Sequence, residues 1–432
     1  MDIYNCQEAF GASDITTEAM LSAIGEWFSL YYRDTEENGE DPCQRVAYTV
    51  VNKLVRGVFA EYGAVGETEL TQQLLQALDA VREQTVALAL VGGECYLKPC
   101  LEGERFVFGV IPRNRVLVFG RDARGEPTDV GTMERSVSDN VYYTLLERRR
   151  VDREGFLTIE NRLYRSFRED SLGVSVPLGS HPAYGELADC YTYPEPVGSV
   201  GLVRVKTPML NCVDGSSDGV AVYAAATGLI HALDKNEQQL CGEFERGQSR
   251  VFVSADLLDG GELKDNLFVG LDEAPDRVGI TLYSPQLREQ SYLARKQEYL
   301  RNVESVVGIK RGLLCDANLD QRTATEISAS QTEHALTVMD FQNMWQKAAE
   351  QAVQLCGVLA ALYGIAGAVS TVRVEWGNGV LYDEEKRWED YKDMVAAGLI
   401  VPEVALGWRF GLPAETPEQR AIIREKFMPQ TN

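Results

Sequence analysis

Residues 218–308 constrain the fold most, because two segments with helical spacing enclose a short β-type region. The first segment runs from Asp218 to Arg246 and is followed by Gly247. Its apolar residues recur at steps of three, four and seven, which predicts a helix with one buried stripe. The second segment opens at Ser284-Pro285 and ends at Gly308, which are start and stop signals for a helix. The sequence predicts a helix, a small sheet and a returning helix.

Three short runs between these helices have the composition of strands. They are Val251 to Val253, Leu267 to Val269 and Val278 to Tyr283. Asp259-Gly260-Gly261 and Ala274-Pro275-Asp276 separate them, and both have the chemistry of turns. These strands are too short to be stable alone, so we expect this segment to pair with the same segment of adjacent copies.

Before residue 218, the spacing of the apolar residues changes near residue 94 from helical to β-type. Three helices are predicted at Thr17–Arg33, Gln44–Tyr62 and Glu67–Leu90, with residues 63–66 in a loop. From Glu94 to about Ser166, short β-type runs alternate with turn residues, which predicts an antiparallel meander. Residues 167–217 are rich in Pro and Gly, and this stretch is the predicted module junction.

The segments after residue 308 begin with a polar connector, followed by a long helix from Thr323 to Tyr363. At ~1.5 Å per residue this helix would span about 60 Å. A strand is predicted at Val372 to Trp376, followed by short helices. The whole chain therefore predicts an α+β protein, and its 432 residues favour two or more modules.

Composition excludes several classes of protein. With 45% hydrophobic and 25% charged residues the chain is globular, and no apolar run is long enough to cross a membrane. The N-terminus does not have the order of a signal peptide. Nine cysteines, an odd number without Cys-x-x-Cys spacing, argue against a disulfide framework and a zinc site. We expect synthesis in a reducing cytoplasm.

Signals for catalysis are missing from the sequence. No Gly-Lys dipeptide occurs, which excludes a Walker A loop, and the histidines at 181, 231 and 334 are too far apart for a zinc-binding motif. No catalytic residue, metal ligand or cofactor is predicted. One alternative is a metal-dependent hydrolase that uses Asp383-Glu384-Glu385 and Glu389-Asp390, although a solvated helix face is the more common explanation for such acids.

Three stretches together resemble one known family. They are "GVAVYAAATGLIHALDKNEQQLCGEFERGQSRVFV", "TATEISASQTEHALTVMDFQNMW" and "VEWGNGVLYDEEKRWEDYKDMVAAGLIVPEVALGWRFGL". In this order they resemble the stem entry, the long helix after the stem and the C-terminal part of tailed-bacteriophage portal proteins, the head-to-tail connectors of Gram-positive siphophage type. The resemblance covers the chain from about residue 218 onward.

This resemblance implies a structural protein of the virion, made in the host cytoplasm, and no enzyme. Portal proteins form a ring, twelve-fold in the virion, through which double-stranded DNA is packaged and ejected at one capsid vertex. Implied partners are the terminase large subunit, the head-tail adaptor, and the major capsid and scaffolding proteins. The implied division is wing 1–217, stem helix 1 at 218–246, clip 247–284, stem helix 2 at 285–308, tunnel-loop region 309–322, long wing helix 323–370 and crown 371–432. A different head-tail structural protein is the second alternative.

Charge and apolar patterning give candidate site residues within this division. The formal charge of −23 disfavours a tight grip on DNA, and a wall that repels phosphate would let DNA slide. Stem helix 2 alone has a slight positive charge. Its basic residues face either DNA in the channel or acids of a neighbouring helix, and the sequence leaves both open: Arg288, Arg295, Lys296 and Arg301. Apolar residues that one chain would leave uncovered are candidate subunit contacts: Leu233, Leu240, Phe244 and Leu293.

The clip carries a net charge of −4 over residues 247–284. Asp272, Glu273 and Asp276 lie next to its turns, where we expect solvated side chains. The resemblance implies that this end of the ring meets the terminase and then the adaptor. An acidic collar suits partners with basic surfaces, so these three acids are the candidate docking residues.

Overall fold

The computed structural model describes residues 5–32, 44–247, 250–254, 268–271, 281–283, 286–316, 324–377 and 384–428. These residues form helices and strands, numbered in chain order. The helices are α1 Asn5–Phe10, α2 Glu18–Tyr32, α3 Val46–Val58, α4 Glu69–Gly92, α5 Thr227–Arg246, α6 Glu289–Val307, α7 Ala324–Tyr363, α8 Glu384–Ala396, α9 Pro402–Arg409 and α10 Pro417–Phe427. The strands are β1 Tyr62–Gly66, β2 Glu94–Glu102, β3 Arg105–Pro112, β4 Val116–Arg121, β5 Pro127–Ser138, β6 Val141–Val151, β7 Leu157–Ser166, β8 Val174–Val176, β9 Cys190–Thr192, β10 Val203–Lys206, β11 Arg250–Ser254, β12 Phe268–Leu271, β13 Thr281–Tyr283 and β14 Val372–Trp376.

The main core lies among the helices α2, α3, α4 and α7. Their apolar stripes bury Trp27, Leu54, Leu78 and Trp345, and the same cluster continues onto strands β2 and β10. Burial of this apolar surface is what stabilises the helices, because propensity alone contributes little to helices of this length. The three predicted N-terminal helices and the long helix α7 are confirmed, with bounds that differ by a few residues.

The predicted antiparallel meander is confirmed for β4 to β7, which pair in chain order in one sheet. Strands β2 and β3 belong instead to a separate sheet in the order β10-β2-β3. Strand β5 was not predicted, since its sequence PTDVGTMERSVS lacks a clear apolar alternation. The prediction of an α+β fold with antiparallel sheets is confirmed, and one parallel pair occurs, between β11 and β12.

The predicted loop at residues 63–66 is wrong. Tyr62–Gly66 forms strand β1, which pairs antiparallel with β14, from Tyr62 opposite Trp376 to Gly66 opposite Val372. The partner strand lies about three hundred residues away in the chain, so no local pattern around Gly63 indicates the pairing. The Pro- and Gly-rich stretch contains only short elements, and its strand β10 pairs with the buried start of β2.

The helix, sheet and helix predicted for residues 218–308 are present, but the predicted start of the first helix at Asp218 is wrong. Helix α5 begins at Thr227, because the preceding residues pack as a segment outside the α-helix, in which the Val222 amide donates to the carbonyl of Leu90 in α4. Helix α5 ends at Arg246 and α6 ends at Val307, and the φ of +74° at the following Gly308 is the left-handed conformation that favours glycine at a helix end. Strand β11 lies between β12 and β13 in a three-stranded sheet within the chain, and pairing with the same segment of adjacent copies stays a prediction.

The predicted start of the second helix at Ser284-Pro285 is wrong. Helix α6 begins at Glu289, and residues 286–288 are not helical. Leu287 approaches Gly247 so closely that a Cβ on that glycine would lie 2.1 Å from its Cδ2 atom. Packing of Leu287 on the end of α5 therefore holds this segment outside the helix.

Candidate channel and assembly site

Helices α5 and α6 run antiparallel and pack along their apolar stripes. Leu233 and Leu240 of α5 are only 1% and 7% exposed, and Leu300 and Val303 of α6 are buried as well. The expectation that Leu233 and Leu240 stay uncovered in a single chain is therefore wrong. The returning helix α6 packs against α5 within the same chain, and both leucines are already buried there.

Phe244 and Leu293 differ from the two buried leucines. Their side chains are 44% and 39% exposed in the single chain, so a large apolar surface on each helix faces outward. Both residues therefore remain available for a contact with another copy, and their role as subunit contacts stays a prediction.

Two of the four predicted basic residues pair with acids of the other helix. Lys296 Nζ lies 3.1 Å from Glu237 Oε2, and Arg288 Nη2 lies 2.8 Å from Glu243 Oε2. Lys296 belongs to α6 and Arg288 directly precedes this helix, so both pairs link the α6 segment to the acidic helix α5. In the single chain these two bases thus contact acids of the neighbouring helix.

The other two basic residues contact neighbours on α6 itself. Arg295 donates to the hydroxyl of Tyr299 at 2.8 Å, and its guanidinium lies over that ring. Arg301 pairs with Glu298 at 3.4 Å, one turn earlier on the same helix. Neither contact ties the guanidinium to α5, so Arg295 and Arg301 are the better candidates for a surface that faces DNA, and this role stays a prediction.

A buried amide also links the two helices. Asn236 of α5 donates from Nδ2 to the backbone carbonyl of Tyr292 in α6, at 3.1 Å. Its side chain is buried, and its Oδ1 atom has no hydrogen-bond partner among the described residues. A buried polar residue in an apolar helix interface commonly fixes the register of the pair at some cost in stability.

The three predicted docking acids, Asp272, Glu273 and Asp276, lie outside the described residues. Strands β12 and β13 lie on either side of them in the sequence. Their role as a docking surface stays a prediction.

A buried cluster of charges lies where the chain enters the 218–246 segment. Glu94 at the start of β2 forms an ion pair with Arg113 at 3.0 Å and accepts a hydrogen bond from Arg204 Nε at 2.7 Å. Asp218 accepts from Arg113 at 3.2 Å and from Arg121 at 2.5 Å. The cluster therefore joins the strands β2, β4 and β10 to the chain that leads into α5, and we call it the joint cluster.

The electrostatics of the joint cluster follow from its burial. Burial raises the pKa of Glu94, but the positive charges of Arg204, Arg113 and Arg121 outweigh this effect and lower the pKa from 4.5 to about 2. Tyr96 also donates from its hydroxyl to Glu94, at 3.0 Å. Removal of one partner from such a buried group leaves uncompensated charge, which is costly.

Two glycines allow the chain to approach the joint cluster closely. Gly93 has a φ of +79°, and a Cβ there would lie 2.3 Å from the backbone of Gly219. A Cβ on Gly219 would lie 2.1 Å from the carbonyl oxygen of Gly93. Only glycine at both positions lets these two backbone segments touch, which places Asp218 beside the arginines.

Sequence reasoning missed the joint cluster. Its five members come from five separate segments, so no spacing along the chain groups them: Glu94, Arg113, Arg121, Arg204 and Asp218. The one local signal is a charged residue next to an apolar run, as in GGECYL around Glu94, and this pattern is too common to identify a cluster.

A second buried charge group lies in the meander. Glu147 pairs with Arg149 at 2.6 Å and with Lys98 at 3.0 Å, and Arg149 also donates to the carbonyl of Gly201 at 3.2 Å. Burial raises the pKa of Glu147, but Arg149 and Lys98 outweigh it and lower the pKa to about 2. This group ties β6 to β2 and to the Pro- and Gly-rich stretch.

Of the acids in the metal-dependent alternative, Asp383 lies outside the described residues. In the part of the chain that the structure describes, no three His, Cys, Asp or Glu side chains converge in a way that could hold a metal ion. None of the helices there combines the length and the apolar character that a membrane span requires.

Comparisons with known proteins give distant structural similarities. The chain is similar to a solved structure described as the neck of a native GTA particle computed with C12 symmetry, with 12% identity and a TM-score of 0.48, covering 93% of this chain and 96% of that one. A second similar structure is the neck of an empty GTA particle computed with C6 symmetry, with 12% identity and a TM-score of 0.49, covering 94% and 97%.

The sequence comparisons are more specific. A search among curated proteins gives no match. The model of one protein family, described as Phage portal protein, SPP1 Gp6-like, matches residues 82–426. Because this match extends over most of the chain, the protein belongs to the SPP1 Gp6-like family of phage portal proteins.

Proposed function

We propose that this protein forms the portal ring at one vertex of a phage capsid, the channel through which double-stranded DNA is packaged and later ejected. The observation that carries this proposal is the family match over residues 82–426. The antiparallel pair α5 and α6, which is held together by ion pairs but exposes Phe244 and Leu293, supports it. As a member of a portal family, the chain is a structural protein and not an enzyme.

The proposed parts of the ring follow the predicted division. Residues 1–217 supply most of the wing, 218–246 and 285–308 the stem, 247–284 the clip, 309–322 the tunnel-loop region, 323–370 the long wing helix and 371–432 the crown. In this assignment α5 and α6 are the stem helices. The joint cluster then lies where the wing meets the stem, and its buried ion pairs give the stem a fixed base.

Assembly is supported by the surface that α5 and α6 leave uncovered. In a ring, the two stem helices of each subunit would contact a neighbouring subunit on either side. Phe244 and Leu293 would become buried in these contacts. Exposed aromatic and aliphatic groups of this size favour burial by the hydrophobic effect. We propose a homo-oligomeric ring of about twelve copies, with thirteen as the other number considered.

Passage of DNA is supported by the charge balance. With a net charge of −23, the ring repels the phosphate backbone overall, which favours sliding over tight binding. Arg295 and Arg301, which contact side chains of α6 itself, would give weak and reversible contacts with phosphate. Arg288 and Lys296 instead neutralise acids of α5.

The proposed partners and place follow from the same function. The clip would dock the terminase large subunit during packaging and the head-tail adaptor afterwards, while the wing would contact the major capsid and scaffolding proteins. The protein would be made in the host cytoplasm and become part of the virion at the portal vertex.

Electron microscopy of the purified protein tests this proposal. We expect rings with a central hole and about twelve subunits, and light scattering should give the matching mass. A stable monomer at micromolar concentration in both measurements would reject the proposal. Rings without a central hole would favour a different head-tail structural protein.

A further inference from the structure

The end of helix α6 carries a fully buried carboxylate, Glu304, that accepts hydrogen bonds from a segment after the helix. The backbone amides of Gly312 and Cys315 donate to its Oε1 atom at 3.1 Å each, and that of Leu314 donates at 2.5 Å. The Cys315 thiol lies 3.1 Å from Oε2. Three backbone amides from residues 312–315 thus surround one carboxylate, which is similar to an anion-binding backbone nest, while the amide of Leu313 donates to the carbonyl of Lys310.

The backbone of Glu304 also takes part in ending the helix. Its carbonyl oxygen accepts from Gly308 and, at 3.0 Å, from Ile309. Gly308 has a φ of +74°, and a Cβ there would lie 2.6 Å from Thr337 Oγ1 on α7. The backbone of Glu304 thus takes part in the end of α6, while its carboxylate accepts from the segment that follows.

The chemistry around the Glu304 side chain favours a charged acceptor. A buried carboxylate loses its hydration, and donors that point at it restore the lost hydrogen bonds in a stronger, charge-assisted form. Burial and the nearby Glu304 raise the pKa of the Cys315 thiol, so the thiol remains protonated and able to donate. The donors come from residues 312–315 alone, so the carboxylate orders that segment and no distant one.

We propose that Glu304 is a positioning residue, which fixes residues 309–316 to the end of α6 and sets how the chain leaves the stem toward the interior of the channel. The inference rests on the proposed portal function, in which α6 is a stem helix and residues 309–322 are the tunnel-loop region. The proposal concerns the described residues up to Asp316. In a ring, the same contact in every copy would place this segment at one height along the channel.

Substitution of Glu304 tests the proposal with a matched control. Glu304→Gln keeps the shape but removes the charge and places an N–H group against the donors, whereas Glu304→Asp keeps the charge on a shorter side chain. Glu298→Gln, an exposed position on the same helix, is the control. We expect hydrogen exchange of the amides of residues 312–315 and alkylation of Cys315, both read by peptide mass spectrometry, to rise by about tenfold or more in Glu304→Gln.

The control and the conservative variant should behave differently from Glu304→Gln. Glu298→Gln should match the wild type, and Glu304→Asp should lie between the wild type and Glu304→Gln. If the exchange and alkylation rates of Glu304→Gln stay within about twofold of wild type, the proposal that Glu304 fixes residues 309–316 is overturned. An equal rise over the whole chain would also overturn it, because Glu304 would then support global stability and not this segment.

A second measurement tests whether Glu304 sets the position of residues 309–316 in the assembled ring. Reconstructions of wild-type and Glu304→Gln rings should show α5 and α6 unchanged and residues 309–316 displaced from the end of α6. An unchanged position of residues 309–316 would overturn the positioning role. The hydrogen-exchange and alkylation measurements do not need a ring. If wild-type protein forms no rings, the proposed portal function is rejected, but these two measurements still test whether Glu304 holds residues 309–316 against α6.

Discussion

Asn236 in α5 and Tyr292 in α6 are joined by a buried hydrogen bond of 3.1 Å from the amide side chain to the backbone carbonyl. The carbonyl of Tyr292 lies inside a helix, where the amide four residues later already pairs with it. The bond is therefore additional, and the Oδ1 atom of Asn236 has no partner among the described residues. This arrangement is typical of a buried polar residue that aligns two helices and lowers the stability of the protein.

Replacement of this asparagine should stabilise the protein. We expect Asn236→Leu to raise the free energy of unfolding by about 1 kcal/mol, because it removes a buried unsatisfied acceptor and adds apolar contacts. Asn302→Leu, an exposed position on α6, is the control and should have little effect. Thermal unfolding at fixed protein concentration measures both. A lower unfolding temperature for Asn236→Leu would mean that the amide contributes net stability.

The joint cluster should be sensitive to loss of one charge. Glu94→Gln leaves Arg113 and Arg204 buried without their carboxylate, and we expect a loss of about 3–5 kcal/mol in the free energy of unfolding. Glu126→Gln is the matched control, because Glu126 contacts the same Arg204 at 3.5 Å but is 56% exposed. That variant should lose less than about 1 kcal/mol. Chemical denaturation measures both, and equal losses would contradict the importance of burial.

Acid should unfold the protein through the two buried carboxylates. The pKa values of Glu94 and Glu147 are about 2 in the folded chain, against 4.5 as the ordinary value. Because the folded-state values are lowered, their contribution to stability is complete above about pH 4.5 and is lost as the pH falls toward 2. As the pH falls over this range, the free energy of unfolding should decrease steeply in wild type and less steeply in Glu147→Gln. Denaturation curves at several pH values measure this slope. An equal slope in both proteins would show that Glu147 does not contribute.

Exposed apolar residues of the helix pair should control assembly. Leu293→Asp places a charge where we propose a subunit contact, and we expect it to shift rings toward smaller species while the circular dichroism spectrum stays unchanged. Ser291→Asp adds the same charge at an exposed position two residues away and should leave the rings intact. Light scattering distinguishes the two. Intact rings of Leu293→Asp would exclude Leu293 from the subunit contact.

The acids of the proposed clip should govern partner docking. Reversal of Asp272, Glu273 and Asp276 to Lys should leave the rings intact and weaken binding of the terminase large subunit and the adaptor, because a basic surface would then repel basic partners. Pull-down at low salt, with ring integrity checked by microscopy, measures the effect. Binding as tight as that of wild type would show that these acids are not the docking surface.

The sequence by itself determined the order of elements in residues 218–308 and the limits of the long helix α7. It also determined the strand from Val372 to Trp376, whose bounds agree with the structure. These features depend on local periodicity and on turn and cap residues, which act over a few positions in the chain. The C-terminal half also contains the segments whose resemblance to portal proteins agrees with the family match.

Only the tertiary structure decided which residues meet. The periodicity of α5 indicated a buried stripe, but not that Leu233 and Leu240 are already buried within the single chain while Leu293 stays exposed. The pairing of β1 with β14 and the contact of Glu94 with Arg204 join positions far apart in the chain. Burial and pairing of this kind depend on how the whole chain closes around its core, because a local pattern gives the face that an element buries but not its partner.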